Sequence, residues 1–338
     1  MDVRPDRAHF EALAAAHTLI PVSVEVLGDR ETPVSVFEQL VGDGDGFLLE
    51  SVEGGERWGR WSFVGWDPLF TLSARNGTAI ITGGTAPVPP GDPLRALEAV
   101  IAAETVPDLA RLLDGRADAI PPFYSGAVGY LGYDCVRYIE RLGDRPRDDR
   151  GLPEMVWHVG GSMAVFDHLR QTIRLVHNTR PGRDPAAAYD AAVGRLRRAA
   201  AAIGAGRGYR TRPRPAFERR PDSRPNMTQD EFERAVIRAK EYIAAGDVFQ
   251  VVPSLRFEVE FGGDAFAVYR ALRLVNPSPF LFFVRYGGLA VAGSSPELMT
   301  RARSGRVESR PIAGTRNRGD STQDDAALEE ELLALSLI

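Results

Sequence analysis

The sequence predicts an α+β protein in which antiparallel β-sheets pack with helices. Three observations carry this. The pairs Gly287-Gly288 and Ser304-Gly305 each sit between two short β-prone runs, which marks hairpins rather than crossovers. Helical segments are announced by caps, but they do not alternate with strands in the βαβ rhythm of a parallel sheet. No Gly-x-Gly-x-x-Gly follows a strand, so the dinucleotide-binding arrangement is absent.

Taken in order, the first part reads as mostly strand. Phe47–Ser51, Trp61–Trp66, Leu69–Ala74 and Thr78–Thr82 are apolar or β-prone runs punctuated by Gly, Asp-Pro and Asn-Gly. Asp92 is placed to cap a helix over Pro93–Ala102, with Leu94, Leu97, Val100 and Ile101 on one face. Ser125–Tyr133 is extended and interleaved with glycine. Met155–Asp167 and Thr172–Asn178 read as a hairpin around Leu169-Arg170-Gln171, and Ala186–Ile203 as an alanine-rich helix. Gly206–Pro225 holds seven arginines, two acids and four prolines; prolines at that density block helix and sheet, which favours a solvated linker over a basic contact arm.

Beyond the linker, Thr228 and Glu231 form a capping box for a helix carrying Phe232, Val236, Ala239 and Ile243 on one stripe, closed by Gly246. Val248–Phe261 reads as a long strand and Asp264–Val275 as an amphipathic helix. Phe280–Tyr286 and Leu289–Gly293 form one hairpin, Met299–Arg303 and Arg306–Ser309 another, and a helix over about Thr322–Leu335 follows.

At 338 residues the chain is long enough for roughly two domains of about 150 residues each. Forty-one basic and forty-six acidic side chains leave a net charge of −5, unlike the basic surface of a nucleic-acid binder. One cysteine, Cys135, excludes an internal disulfide and a cysteine-based zinc site. No apolar run approaches the roughly 20 residues of a membrane span, and the N-terminus is too polar for a secretory signal; the expectation is a soluble, cytoplasmic protein. Lys240 is the only lysine, and it sits in Ala-Lys-Glu, so a Walker phosphate loop is absent. His9, His17, His158, His168 and His177 form no metal-binding motif, and no Gly-x-Ser-x-Gly elbow occurs.

Several segments are hard to explain as packing alone. Gln250 lies among valines in Gly246–Val252, where alternation shares its face with Val248 and Val252; it is either an edge amide facing water or a polar group in a cavity. Ser294, Ser295 and Glu297 directly follow a strand, as a site lining or a plain turn. In Arg310–Arg316, Gly314 permits close approach to the backbone, and successive amides with the Thr315 hydroxyl suit a carboxylate; a basic surface loop is the competing reading.

Together GDVFQVVPS (Gly246–Ser254), NPSPF (Asn276–Phe280), GSSPE (Gly293–Glu297) and RPIAGTR (Arg310–Arg316), with LLES (Leu48–Ser51) and GAVGYLGYD (Gly126–Asp134), resemble the chorismate-utilising enzymes, specifically the large subunit of anthranilate synthase, component I. The resemblance runs from near residue 20 to the end of the chain. It implies an N-terminal domain over 15–205 with a tryptophan regulatory site, a linker over 206–225, and the first part of a chorismate-binding domain over 226–338. It implies a lyase reaction early in tryptophan biosynthesis: chorismate and ammonia give anthranilate and pyruvate. Mg²⁺ is the cofactor, and ammonia comes from glutamine through a separate amidotransferase subunit, component II. No nucleic acid or membrane partner is expected.

The resemblance also assigns residues. Gly314 and Thr315 would bind chorismate, with Gln250 and Glu297 as catalytic-pocket candidates. Ser51 would meet the polar end of tryptophan, the feedback inhibitor, and Pro279, Phe280 and Leu281 would form the opposite wall. The family usually has Tyr-Met where this chain has Phe280-Leu281. Related aminodeoxychorismate synthases carry a nucleophilic lysine at the position of Ala313, and isochorismate and salicylate synthases carry a lysine at the position of Gln250. Neither residue here can supply that chemistry. In the family a long catalytic segment with the metal-binding glutamates follows the final helix, so the resemblance implies a chain truncated at Ile338 and inactive alone. The alternatives are an aminodeoxychorismate synthase component and a non-catalytic fragment that binds tryptophan or a partner subunit.

Overall fold

A computed structural model describes residues 1–53, 57–86, 88–108, 112, 120–205, 222–303, 305–309 and 317–335. Its elements run β1 (Val3–Arg4), α1 (Arg7–Leu13), β2 (Ile20–Leu27), α2 (Pro33–Leu40), β3 (Gly46–Glu50), β4 (Val52–Glu53), β5 (Arg57–Trp58), β6 (Trp61–Trp66), β7 (Phe70–Arg75), β8 (Thr78–Thr82) and α3 (Pro93–Ala102). Next come β9 (Ala127–Leu131), a 3-10 turn over Tyr133–Tyr138, β10 (Met155–Val159), β11 (Ser162–Asp167), β12 (Thr172–Thr179) and α4 (Pro185–Ala205). The series closes with β13 (Ser223–Pro225), α5 (Gln229–Ala245), β14 (Phe257–Val259), α6 (Ala265–Val275), β15 (Phe280–Tyr286), β16 (Leu289–Ser295), β17 (Arg301–Arg303), β18 (Arg306–Glu308) and α7 (Thr322–Leu335).

The chain divides into two units, Met1–Arg207 with Val268–Ile338, and Gly208–Ala267. This differs from a single boundary at 206–225: the residues from Val268 onward join the N-terminal unit, because β15 pairs with β3. Most of the expected linker lies outside the described residues, and its last three residues form β13.

The larger unit holds an eight-stranded sheet, β1-β2-β12-β11-β6-β3-β15-β16, and a four-stranded sheet, β8-β7-β10-β9. Every described pairing in both is antiparallel, as the turn chemistry predicts. The expected strand over Met155–Asp167 is instead two strands in different sheets. Gly160 and Gly161 take φ of +61° and +86°, and this break carries the chain from one sheet to the other. The sheets meet over Phe47, Met163, Val165, Val176 and Val284, against which Phe63, Phe123 and Val128 pack. On the far side of the large sheet, α4 buries Tyr189, Val193, Leu196 and Ile203 at helical spacing. Against the small sheet, α3 contributes Val100 to a core with Phe70, Leu72 and Met155.

Local chemistry explains the helix ends. Asp92 accepts from the Leu94 amide at 2.8 Å, so α3 starts where expected. Thr228 and Glu231 form the reciprocal box of α5, and Gly246 closes it at φ +80°. The expected strand over Val248–Phe261 shrinks to Phe257–Val259, paired only with β13. Among the described residues no further strand pairs with the rest of that segment, and strand conformation is sustained by ladder pairing. None of the residues of α5 is buried. Among the described residues no helix is long and apolar enough to cross a membrane.

Three histidines in the larger unit are held by short polar contacts. His158 Nδ1 lies 2.9 Å from Thr71 Oγ1 and its Nε2 2.9 Å from the Arg285 carbonyl oxygen, which ties the two sheets together. His168 Nε2 is 2.8 Å from Ser62 Oγ, and His177 Nδ1 is 2.8 Å from Ser162 Oγ. Burial is the main cause that lowers all three from the ordinary imidazole value, and His177, beside Arg195, is held at about 4. The unfolded chain therefore takes up protons that the folded chain refuses, and stability falls as pH drops from about 6.5 toward 4. His177 alone contributes a change on the order of 3 kcal/mol. Urea unfolding midpoints should decline steadily between pH 7 and pH 4.5; a flat profile would contradict neutral, buried imidazoles.

Candidate functional site

Three of the motifs converge on one end of three adjacent strands. Strand β3 carries Leu48-Leu49-Glu50 and runs into Ser51, β15 begins at Phe280, and β16 ends at Ser295. The register sets Leu281 opposite Glu50 and Ser294 opposite Leu281, with Phe280 opposite Ser295. LLES, NPSPF and GSSPE thus meet at one edge, although LLES lies more than 200 residues from the other two along the chain. Alternation, continued one residue past β3, puts Ser51 and Phe280 on one face of the sheet. Leu281 lies on the opposite face with Glu50 and is fully buried. Ser51 and Phe280 are half-buried, and Pro279 is exposed in the turn before the strand.

The turn itself is held at both ends. The Asn276 amide donates to the Leu272 carbonyl at 2.9 Å and closes the last turn of α6. Its carbonyl accepts from the Ser294 hydroxyl, and Ser278 is buried between the two prolines. The main chain of Ser51 is likewise engaged, its carbonyl accepting from the Gly59 amide at 2.7 Å.

Behind this edge lies a charge that sequence reasoning missed. The Glu50 side chain is 1% exposed and Arg273 stands beside it, its Nε 2.7 Å from Oε2. Arg273 Nη2 donates to Oε1 at 2.8 Å, and the buried Tyr269 hydroxyl donates to Oε2 at 2.6 Å. Burial pushes the Glu50 carboxyl above the usual carboxylate range, while Arg273 and Tyr269 pull it back. Burial and the adjacent carboxylate push the Tyr269 hydroxyl far up, so it stays a donor. One signal in the sequence was the spacing: Tyr269 and Arg273 are four apart and share a face of α6. The Tyr269 ring then packs on Phe283, 5.8 Å between centroids, and Phe283 meets Phe37 edge-on at 5.4 Å.

The chorismate-side expectations fall elsewhere. Gly314 and Thr315, with Ala313, lie outside the described residues. Gln250 belongs to the smaller unit and is exposed in a segment without regular structure, not on a strand face among valines. Glu297 is exposed two residues past β16, its amide donating to Ser295 Oγ at 3.4 Å. Among the described residues no group of three or more His, Cys, Asp or Glu is arranged to hold a metal ion.

The comparisons with known proteins bear on the whole chain. Residues 46–336 match the family model described as chorismate binding enzyme. An anthranilate synthase component 1 of Acetivibrio thermocellus is 37% identical over 98% of this chain and 66% of its own length. That of Mycolicibacterium smegmatis is 41% identical over 97% of this chain and 63% of its own. The crystal structure of anthranilate synthase component I from Streptococcus pneumoniae TIGR4 superposes with a TM-score of 0.62 at 30% identity, over 81% of this chain and 57% of that one. The chain therefore spans just under two thirds of the length of these curated relatives, at 66% and 63%.

Proposed function

Because the chain belongs to the chorismate binding enzyme family, we propose that it serves as an anthranilate synthase large-subunit polypeptide, regulated by tryptophan. The reaction is amination of chorismate by ammonia with release of pyruvate. The ammonia is supplied from glutamine by a partner amidotransferase, and Mg²⁺ is the metal cofactor. Among the described residues no group of three or more His, Cys, Asp or Glu suits that ion.

The observation that carries the reading is the meeting of LLES, NPSPF and GSSPE at the end of β3, β15 and β16, in a chain 37–41% identical to curated component 1 proteins over nearly all its length. Ser51 and Phe280 then offer a polar and an aromatic group on one sheet face. Such a pair suits an amino acid with an indole side chain: the hydroxyl answers its charged end, and the ring and Pro279 answer its apolar body. Within the family, Ala313 and Gln250 favour amination by free ammonia over the lysine-dependent branches, since neither side chain is a nucleophile or a base at neutral pH.

Calorimetry on the purified chain tests this. L-Tryptophan should bind saturably, and Ser51→Arg should abolish binding by placing a long cation where the ligand ammonium belongs, with the circular dichroism spectrum unchanged. Full tryptophan binding by Ser51→Arg would remove the site assignment. Chorismate should bind as well; tryptophan heat with no chorismate heat would leave a regulatory module only and overturn the catalytic half of the proposal.

A further inference from the structure

The buried cluster behind the strand ends has a role that the tryptophan reading does not assign. The Tyr269 hydroxyl and Arg273 Nη2 donate to one carboxylate, Glu50, at 2.6 and 2.8 Å, and Arg273 Nε stands 2.7 Å from Oε2 as part of the ion pair. Glu50 is the residue immediately before Ser51. From Arg273 the chain runs through the last turn of α6 into Asn276–Pro279 and then directly into β15. The same Glu50 sits opposite Leu281 in the β3–β15 ladder. One side chain of β3 is therefore fastened to the segment Arg273–Leu281 at both ends, once through its carboxylate and once through its backbone register.

The form of the contact adds to its reach. One guanidinium hydrogen bond to Oε1, with Nε held 2.7 Å from the other oxygen, restrains the carboxylate more than a lone hydrogen bond would. The phenol closes a third direction, and its ring is locked against Phe283. Walls set before a ligand arrives spare it the cost of ordering them.

We propose that Arg273 and Tyr269 are positioning residues of the inhibitor cleft: through Glu50 they hold Ser51 and Asn276–Phe280 at one spacing, so that tryptophan meets both walls pre-set. This rests on the tryptophan reading and extends it to three residues on the hidden side of the sheet. Leu281, buried beside Glu50, belongs to that support.

The test is tryptophan calorimetry on the full chain, with thermal melting of each protein in parallel. Tyr269→Phe keeps the ring and its packing but removes one donor. Arg273→Lys keeps the charge but loses the planar fork. Each should weaken tryptophan binding about tenfold, with an unchanged circular dichroism spectrum. The double variant Glu50→Gln/Arg273→Gln replaces the ion pair with a neutral amide pair. It should melt close to the unaltered chain and well above Glu50→Gln alone, yet still bind tryptophan about tenfold more weakly. A merely structural cluster would move affinity and melting together, so affinity that recovers in step with the melting temperature would overturn the proposal, as would unshifted affinity in Tyr269→Phe and Arg273→Lys. Absence of binding to the unaltered chain would instead remove the tryptophan reading, and the positioning role with it.

Discussion

Arg273→Ala should lower the unfolding free energy by about 3–5 kcal/mol at pH 8, the cost of leaving one partner of a buried ion pair uncompensated. The size follows from burial: the Glu50 side chain is 1% exposed, so water cannot replace the lost guanidinium. The effect should also depend on pH in a defined direction. In the intact protein burial already pushes Glu50 above the usual carboxylate range, and Arg273 is the strongest influence opposing it. Without Arg273 the folded-state value rises further, while the unfolded value stays near 4.5. Between those two values the folded state binds a proton that the unfolded state does not. The deficit relative to the unaltered chain should therefore shrink as pH falls from 8 to 5.5. Taking the difference at each pH cancels the contribution of His158, His168 and His177, which weakens both proteins alike on acidification. Urea titrations at the two pH values measure it, and an equal deficit at both would mean that lost packing, not an orphaned charge, is responsible. Arg273→Met, which retains the apolar stem, should show the same pH dependence with a smaller total loss.

The parts of this fold that were legible from the sequence are those decided by neighbours along the chain. Asp92 and Thr228 cap their helices through atoms two or three residues away, and Gly287-Gly288 turns a hairpin whose strands are adjacent in sequence. The misses share a different cause. Ile20–Leu27, not among the expected strands, forms β2 although Pro21 lies within it. In the sheet β1 covers only Ser23 and Val24, so the missing amide of Pro21 costs no ladder bond on that side. Val248–Phe261 erred the other way, since its composition suits a strand but among the described residues only Phe257–Val259 join a ladder.

The site divides in the same manner. The motifs marked which segments matter, but only the register of β3 with β15 and of β15 with β16 shows that three of them share an edge. Glu50 reads in one dimension as the polar end of an apolar strand. Its partners are 219 and 223 residues away, and no local pattern announces a contact of that range. A glutamate beside Leu48 and Leu49 was nonetheless a signal, because a carboxylate in an apolar strand needs a cation from somewhere.

Gly129→Ala should be the most damaging of the small substitutions, and the reason is backbone contact, not conformation. A methyl group at Gly129 would stand 1.8 Å from the Val156 carbonyl oxygen and 2.8 Å from the Trp157 Cα. Neither is the end of a flexible side chain that could swing away. Relief requires β9 to separate from β10, against which it is registered from Ala127–Val159 to Leu131–Met155. Just outside that ladder, the Gly160 amide donates to the Gly126 carbonyl at 2.8 Å, and the Gly132 amide to the Glu154 carbonyl at 2.7 Å. A strand pinned at both ends cannot slide to make room, so it must bow outward or detach. Overpacking of this kind costs about 3 kcal/mol at its upper range, and here it would also draw Val128 away from the core between the two sheets. Because β9 is the edge of the four-stranded sheet, the damage should stay local: hydrogen exchange should speed up across residues 127–131 and 155–159 and change little in β2, β11 and β12. A stability within about 0.5 kcal/mol of the unaltered chain, the range of ordinary surface substitutions, would mean that β9 is free to move and that the glycine spacing of this segment has some cause other than the approach of β10.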